Sequence, residues 1–262
     1  MLEQQYRWIP AMRDTYTRRL AGHERQVQDQ YPGLLERISE ALPAIAASSP
    51  PWCPLPIAAV VALGVPPVHA SAVTAVAAWR LAGRHVAYIH PSRLPGPVER
   101  VPVAEIQALP MRCLYMATSD ADGQPASGYY TWLEDDAAED RTEVRMQVDH
   151  RTGGDLWETL TDPVHAVRGT LRDAVSATQT TALMRASDIF GVPMPPVGRG
   201  TDIDPLIDRK AHHQAHLLAA VAYLSTPQAQ IIDAATVLNE PDQQKWSHPT
   251  GRTDSVTLWL AS

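Results

Sequence analysis

The sequence predicts an α+β fold, with a central, mostly antiparallel sheet flanked by N-terminal and C-terminal helices. Three observations carry that expectation. Apolar residues recur at helical spacing from Leu34 to Ile45 and again over residues 67–82. Short β-rich runs follow at 109–116, 128–134 and 144–149, bounded by turn signals such as Asp122-Gly123 and Gly153-Gly154. Helical patterns then return, over 164–175 and 208–224. Residues 1–66 read as an N-terminal helical segment packed on an α+β core of residues 67–262, the two forming one globular unit.

Taken in order, residues 3–30 read as a polar helix with sparse apolar marks at Tyr6, Ile9, Tyr16 and Leu20. Leu34, Leu35, Ile38, Leu42 and Ile45 predict an amphipathic helix that Pro43 ends or kinks. Pro56 suits the first turn of a short buried helix, and Gly64 suits its end. The helix from Pro67 to Ala82 carries an Ala-rich face and Trp79, with Gly83 as its stop signal. Val86-Ala87-Tyr88-Ile89 reads as a strand, and the prolines between 91 and 102 mark a surface excursion.

The acidic run from Glu134 to Asp140 is expected to be a solvated loop between strands. Thr161 or Asp162 followed by Pro163 is a helix-start signal, with Val164, Val167, Leu171 and Val175 on one stripe. Residues 189–205, rich in Pro and Gly, should form an irregular loop, and Val256-Thr257-Leu258-Trp259-Leu260 a final strand.

Composition narrows the function. The net charge is −7, and Lys210 and Lys245 are the lysines, so there is no obvious basic face for a nucleic-acid duplex. Cys53 and Cys113 lie far apart in apolar settings, which suits buried free thiols. The N-terminal segment is too polar for a secretory signal, and the apolar run at 55–68 is broken by Gly and Pro. A soluble cytoplasmic protein without a membrane partner is the expectation.

No complete catalytic motif is present. His212 and His216 lie four apart, as two metal ligands on one helix face would, but no third ligand is identifiable, so no metal is assigned. Asp149-His150 stands at a strand end, a place where catalytic pairs occur; a turn-forming Asp is the plainer reading. The aromatics carry more weight. Strand alternation puts Tyr129 and Thr131 on one face and Tyr130 and Trp132 on the other. Some of these rings must be core, while others, with Trp79 and Trp157, would line a groove for an extended peptide.

The wording of the strands resembles a known family. Leu109-Pro110-x-x-Cys113-x-Tyr115 is similar to the strand opening of a family of type V-A anti-CRISPR proteins and their phage and plasmid relatives. Ala78-Trp79-Arg80 resembles the family's Trp-bearing helix, Gly128-Tyr129-Tyr130 its next strand and Val148-Asp149 its acidic strand end. The helix pattern at 164–175 and the run Leu217 to Leu224 are similar to later helices, so the likeness extends over residues 70–240. Arg112 departs from it, standing where the family carries an aromatic.

The resemblance implies a non-enzymatic inhibitor of a mobile genetic element, without a cofactor, that suppresses production of the type V-A effector nuclease. It implies engagement of the nuclease's nascent N-terminal peptide, with its mRNA or the ribosome as further partners. The peptide-binding residues expected on this chain are Trp79, Tyr115, Tyr129, Tyr130, Trp132 and Trp157. The rival expectations are a small hydrolase or nuclease using Asp149, His150 and the His212/His216 helix, or an inhibitor of another host protein.

Overall fold

Among the described residues, a seven-stranded mixed sheet has helices of the N-terminal segment packed across one of its faces. The computed structural model describes residues 9–89, 112–119, 125–136, 141–149, 161–165, 224, 231–234 and 256–261. Among the described residues, four helices lead in: α1 (Ile9–Gln30), α2 (Leu34–Ser48), α3 (Ile57–Ala62) and α4 (Pro67–Leu81). The strands are β1 (His85–Ile89), β2 (Cys113–Ser119), β3 (Pro125–Asp136), β4 (Arg141–Asp149), β5 (Thr161–His165), β6 (Ile231–Asp233) and β7 (Thr257–Ala261). Their order across the sheet is β5-β4-β3-β2-β1-β7-β6. The pairings from β2 through β5 and between β6 and β7 are antiparallel, whereas β1 runs parallel to both β2 and β7.

The helices follow their sequence signals closely, except that α3, expected to be buried, buries only Val60. α1 buries Met12, Tyr16, Leu20, His23 and Val27 on one stripe at three- and four-residue intervals. α2 continues through Pro43 to Ser48 instead of ending there, because Ile45 extends the buried stripe begun by Leu34, Leu35 and Ile38. Pro56 and Pro66 stand immediately before α3 and α4, and Pro67 opens α4. Gly64 and Gly83 turn the chain after these helices at φ 94° and 105°. Ala70, Ala72, Ala75, Ala77 and Ala78 leave α4 slim enough to be buried on nearly all sides.

A single buried apolar cluster joins Met12, Tyr16 and Leu20 of α1 to Trp79 of α4, Tyr115 of β2, Tyr130 and Trp132 of β3, and Leu258 of β7. The opposite sheet face is also buried, at Ala87, Leu114, Met116, Tyr129, Thr131, Leu133, Val144 and Met146. Both faces are therefore interior along the central strands.

Two expectations are corrected. Residues 161–165 form edge strand β5, not the start of a helix, and pair with residues 143–147 of β4. An edge position tolerates Pro163, which has no N–H to give to a further strand. The acidic run does not begin as a solvated loop: β3 continues to Asp136, and Glu134 is buried within it. The helix expected over 208–224 lies outside the described residues except for Leu224, which is helical and buried. The Asp122-Gly123 turn and residues 189–205 lie outside them as well.

Candidate functional site

The structure brings the described aromatic residues together, and it does so as core. Tyr115, Tyr130 and Trp132 point toward the helices, while Tyr129 lies on the other sheet face. Ring centroids of Tyr115 and Tyr130 are 5.0 Å apart at 78°, and those of Trp79 and Tyr130 are 5.8 Å apart at 73°. Tyr16 of α1 covers Tyr115 at 5.5 Å. The two edge-on pairs made by Tyr130 place positive ring edges against negative ring faces. Trp79 is 1% exposed and Tyr115, Tyr129, Tyr130 and Trp132 are fully buried. A peptide meeting these rings would first have to displace what covers them. Trp157 lies outside the described residues.

Beneath α1, the same rings border a buried carboxylate. Asp149 ends β4 on the helix-covered face, directly opposite Gly128 of β3, and is 6% exposed. Arg19 grips it from both sides of the guanidinium: Nη2 donates to Oδ1 at 2.7 Å, and Nε lies 2.6 Å from Oδ2. Nη2 also reaches the Asp149 carbonyl at 3.3 Å. The Tyr115 hydroxyl donates to Oδ2 at 2.6 Å. Gly128 makes this possible, since a Cβ there would fall on the Tyr115 ring and hydroxyl.

One helical turn along α1, His23 closes the cluster. Its Nδ1 lies 2.9 Å from the Tyr130 hydroxyl and its Nε2 3.6 Å from Asp149 Oδ1. With the ring neutral and Nε2 protonated, Tyr130 donates to Nδ1 and the remaining N–H faces the carboxylate. Burial lowers the His23 pKa; the Asp149 charge opposes that shift and Arg19 reinforces it. Burial also holds the Tyr115 and Tyr130 hydroxyls well above their ordinary value, with the Asp149 charge adding to it. For Arg19, burial works against the cation, but the hydrogen bond to Asp149 and the charge interactions with Tyr115, Asp149 and Tyr16 together outweigh it and the pKa rises.

Chemically this is a fastening. Both carboxylate oxygens are engaged by charge-assisted or hydroxyl hydrogen bonds, and the bidentate geometry fixes the rotation and register of α1 on the sheet. A second fastening lies on the same helix, where Glu24 receives the Arg84 guanidinium at 2.8 and 3.1 Å. A third fastening is the buried carboxylate of Glu134, which accepts the Ile57 N–H at 2.7 Å and the Trp132 indole N–H at 3.2 Å. It thereby ties the start of α3 to β3.

Asp149, placed by the sequence at a catalytic-looking strand end, thus pairs with Arg19 and faces His23. His150, His212 and His216 lie outside the described residues. Among the described residues, no three His, Cys, Asp or Glu side chains gather as a metal site. Both cysteines are free and buried, as expected; burial, aided by the Glu134 charge, raises the Cys53 pKa to about 12. No helix among the described residues is long and apolar enough to cross a membrane.

Sequence reasoning missed Arg19 and His23. A signal did exist, since His23 continues the stripe of Tyr16, Leu20 and Val27 at helical spacing. Arg145, Gln147 and Asp149 also alternate with the apolar Val144 and Met146, which suggests a water-facing edge. Arg19 and His23 of α1 cover the Asp149 end of that row.

Comparison with known proteins bears on this architecture. No protein family matches the sequence, and no curated protein matches it. The fold is similar to the crystal structure of AcrVA2, with a TM-score of 0.56, 9% identity, and coverage of 92% of this chain and 82% of that one. At that identity the likeness is one of fold, and it extends over nearly the whole chain. The protein has an AcrVA2-like fold.

Proposed function

We propose that this chain is an anti-CRISPR-like inhibitor that limits production of a type V-A effector nuclease by engaging the nuclease's nascent N-terminal peptide. The observation that supports it is the AcrVA2-like fold spanning 92% of the chain, which agrees with the likeness of the strand and helix wording. The action is recognition without catalysis, in the cytoplasm where the nuclease is made, and it needs no cofactor. The mRNA and the ribosome are the further partners, reached through the peptide while it is still tethered to them.

The competing hydrolase or nuclease would need Asp149 as an acid–base or metal-binding group. Its oxygens are already committed to Arg19 and Tyr115, so removing that ion pair would come at the expense of the fold before it served chemistry. The test is co-expression with a type V-A effector nuclease, following nuclease protein, its message and a codon-matched unrelated reporter. A selective fall in nuclease is the expected result. Unchanged nuclease with intact interference would leave a shared fold and a different target.

A further inference from the structure

Residues 41–79 contain no Asp, Glu, Lys or Arg in a chain that is 19% charged. Much of this stretch is interior, but the corner where α3 turns into α4 is not. Gly64 bends the chain there with φ 94°, and its N–H returns to the Val61 carbonyl at 2.9 Å. The turn leaves Ala58, Val61, Ala62, Pro66, Pro67 and Val68 exposed, with Val61 at 37% and Val68 at 79%. Val60 and Val65 of the same segment are buried, so the corner is firmly seated while its outer residues remain in water.

We infer that this corner docks a short, uncharged apolar segment of a partner polypeptide, an inference that rests on the peptide-recognition reading above. Two arguments select that occupant. The first is charge: a charged partner side chain pressed onto this surface would lose its hydration with no counter-charge supplied by residues 41–79. The second is size. Six small side chains present far less than the roughly 800 Å² per partner that a stable dimer buries, but they suffice for two or three residues of a peptide. Pro66 and Pro67 also lack backbone N–H groups, so covering them strands no donor at those two positions. The aromatic rings are buried, and this corner offers apolar contact without unpacking the core.

The experiment uses the full chain and labelled overlapping peptides that tile the N-terminal segment of a type V-A effector nuclease, read by fluorescence polarisation. The variants are Val61→Asp, Val68→Asp and, as an apolar control on edge strand β6, Ile232→Asp, each checked for an unchanged melting profile. Weakening of peptide binding by roughly tenfold in the two corner variants, with the control unaffected, is expected from the loss of one buried valine contact. Binding that survives both corner substitutions overturns the corner while leaving peptide recognition intact. Absence of binding by the unaltered chain overturns the peptide reading and the corner with it. A concentration-dependent dimer abolished by the same substitutions would assign the corner to a second copy, which also overturns the inference.

Discussion

At the scale of single residues, the Asp149 cluster governs most of what can be tested. Replacing Asp149 with Asn leaves the largely buried Arg19 without its counter-charge, and a loss of about 3–5 kcal/mol is expected in urea denaturation. Removing both charges, as in Arg19→Met with Asp149→Leu, should cost less than the two single changes added together, and a double-mutant cycle measures the difference. His23 makes the cluster sensitive to acid. Its folded pKa lies below the ordinary 6.5, so as pH falls the unfolded chain takes up a proton that the folded chain refuses. His23 therefore adds stability that is present above pH 6.5 and is lost as pH falls through the lowered folded pKa. The drop in stability between about pH 7.5 and about pH 5.5 should shrink in His23→Gln, which keeps a polar partner for Tyr130 but does not titrate there. An equal drop in both proteins would assign the acid sensitivity to other groups.

At the scale of elements, α1 is held by one apolar stripe and by ion pairs that Arg19 makes with Asp149 and Glu24 makes with Arg84. Leu20 is fully buried between helix and sheet, so Leu20→Ala should cost about 2–5 kcal/mol in the same denaturation assay. A loss below 1 kcal/mol, on the order of an exposed substitution, would mean that α1 packs loosely. The helices were the most legible elements because their signals are local: proline before α3, proline opening α4, and glycine after each. The strand assignments around Tyr115, Tyr130 and Val144 were legible from alternation. Residues 161–165 were misread because Asp-Pro serves a helix start and an edge strand equally well, and the neighbouring strand decides between them. Glu134 was misread for a related reason. An acidic run suggests water until a helix N–H and an indole N–H are placed beside one of its members.

At the scale of the whole molecule, the shared core predicts how the thiols behave. Cys53 and Cys113 are buried, and burial raises both pKa values, that of Cys53 to about 12. Neither should react with an aromatic disulfide reagent in the folded protein, and both should react at once in urea; fast labelling without urea would mean that the core opens readily. Read alone, the sequence determined the α+β class, the four N-terminal helices, the strand faces and the free thiols, because helical and strand periodicities and turn residues act within a few positions. The tertiary structure alone decided that β1 lies between β2 and β7 and runs parallel to both, and that α1 covers Asp149 at the end of β4. It also turned the aromatic residues inward and made Asp149 a fastening for Arg19. Each of these depends on residues far apart in the chain, and no local pattern records which distant surface will come to exclude the water.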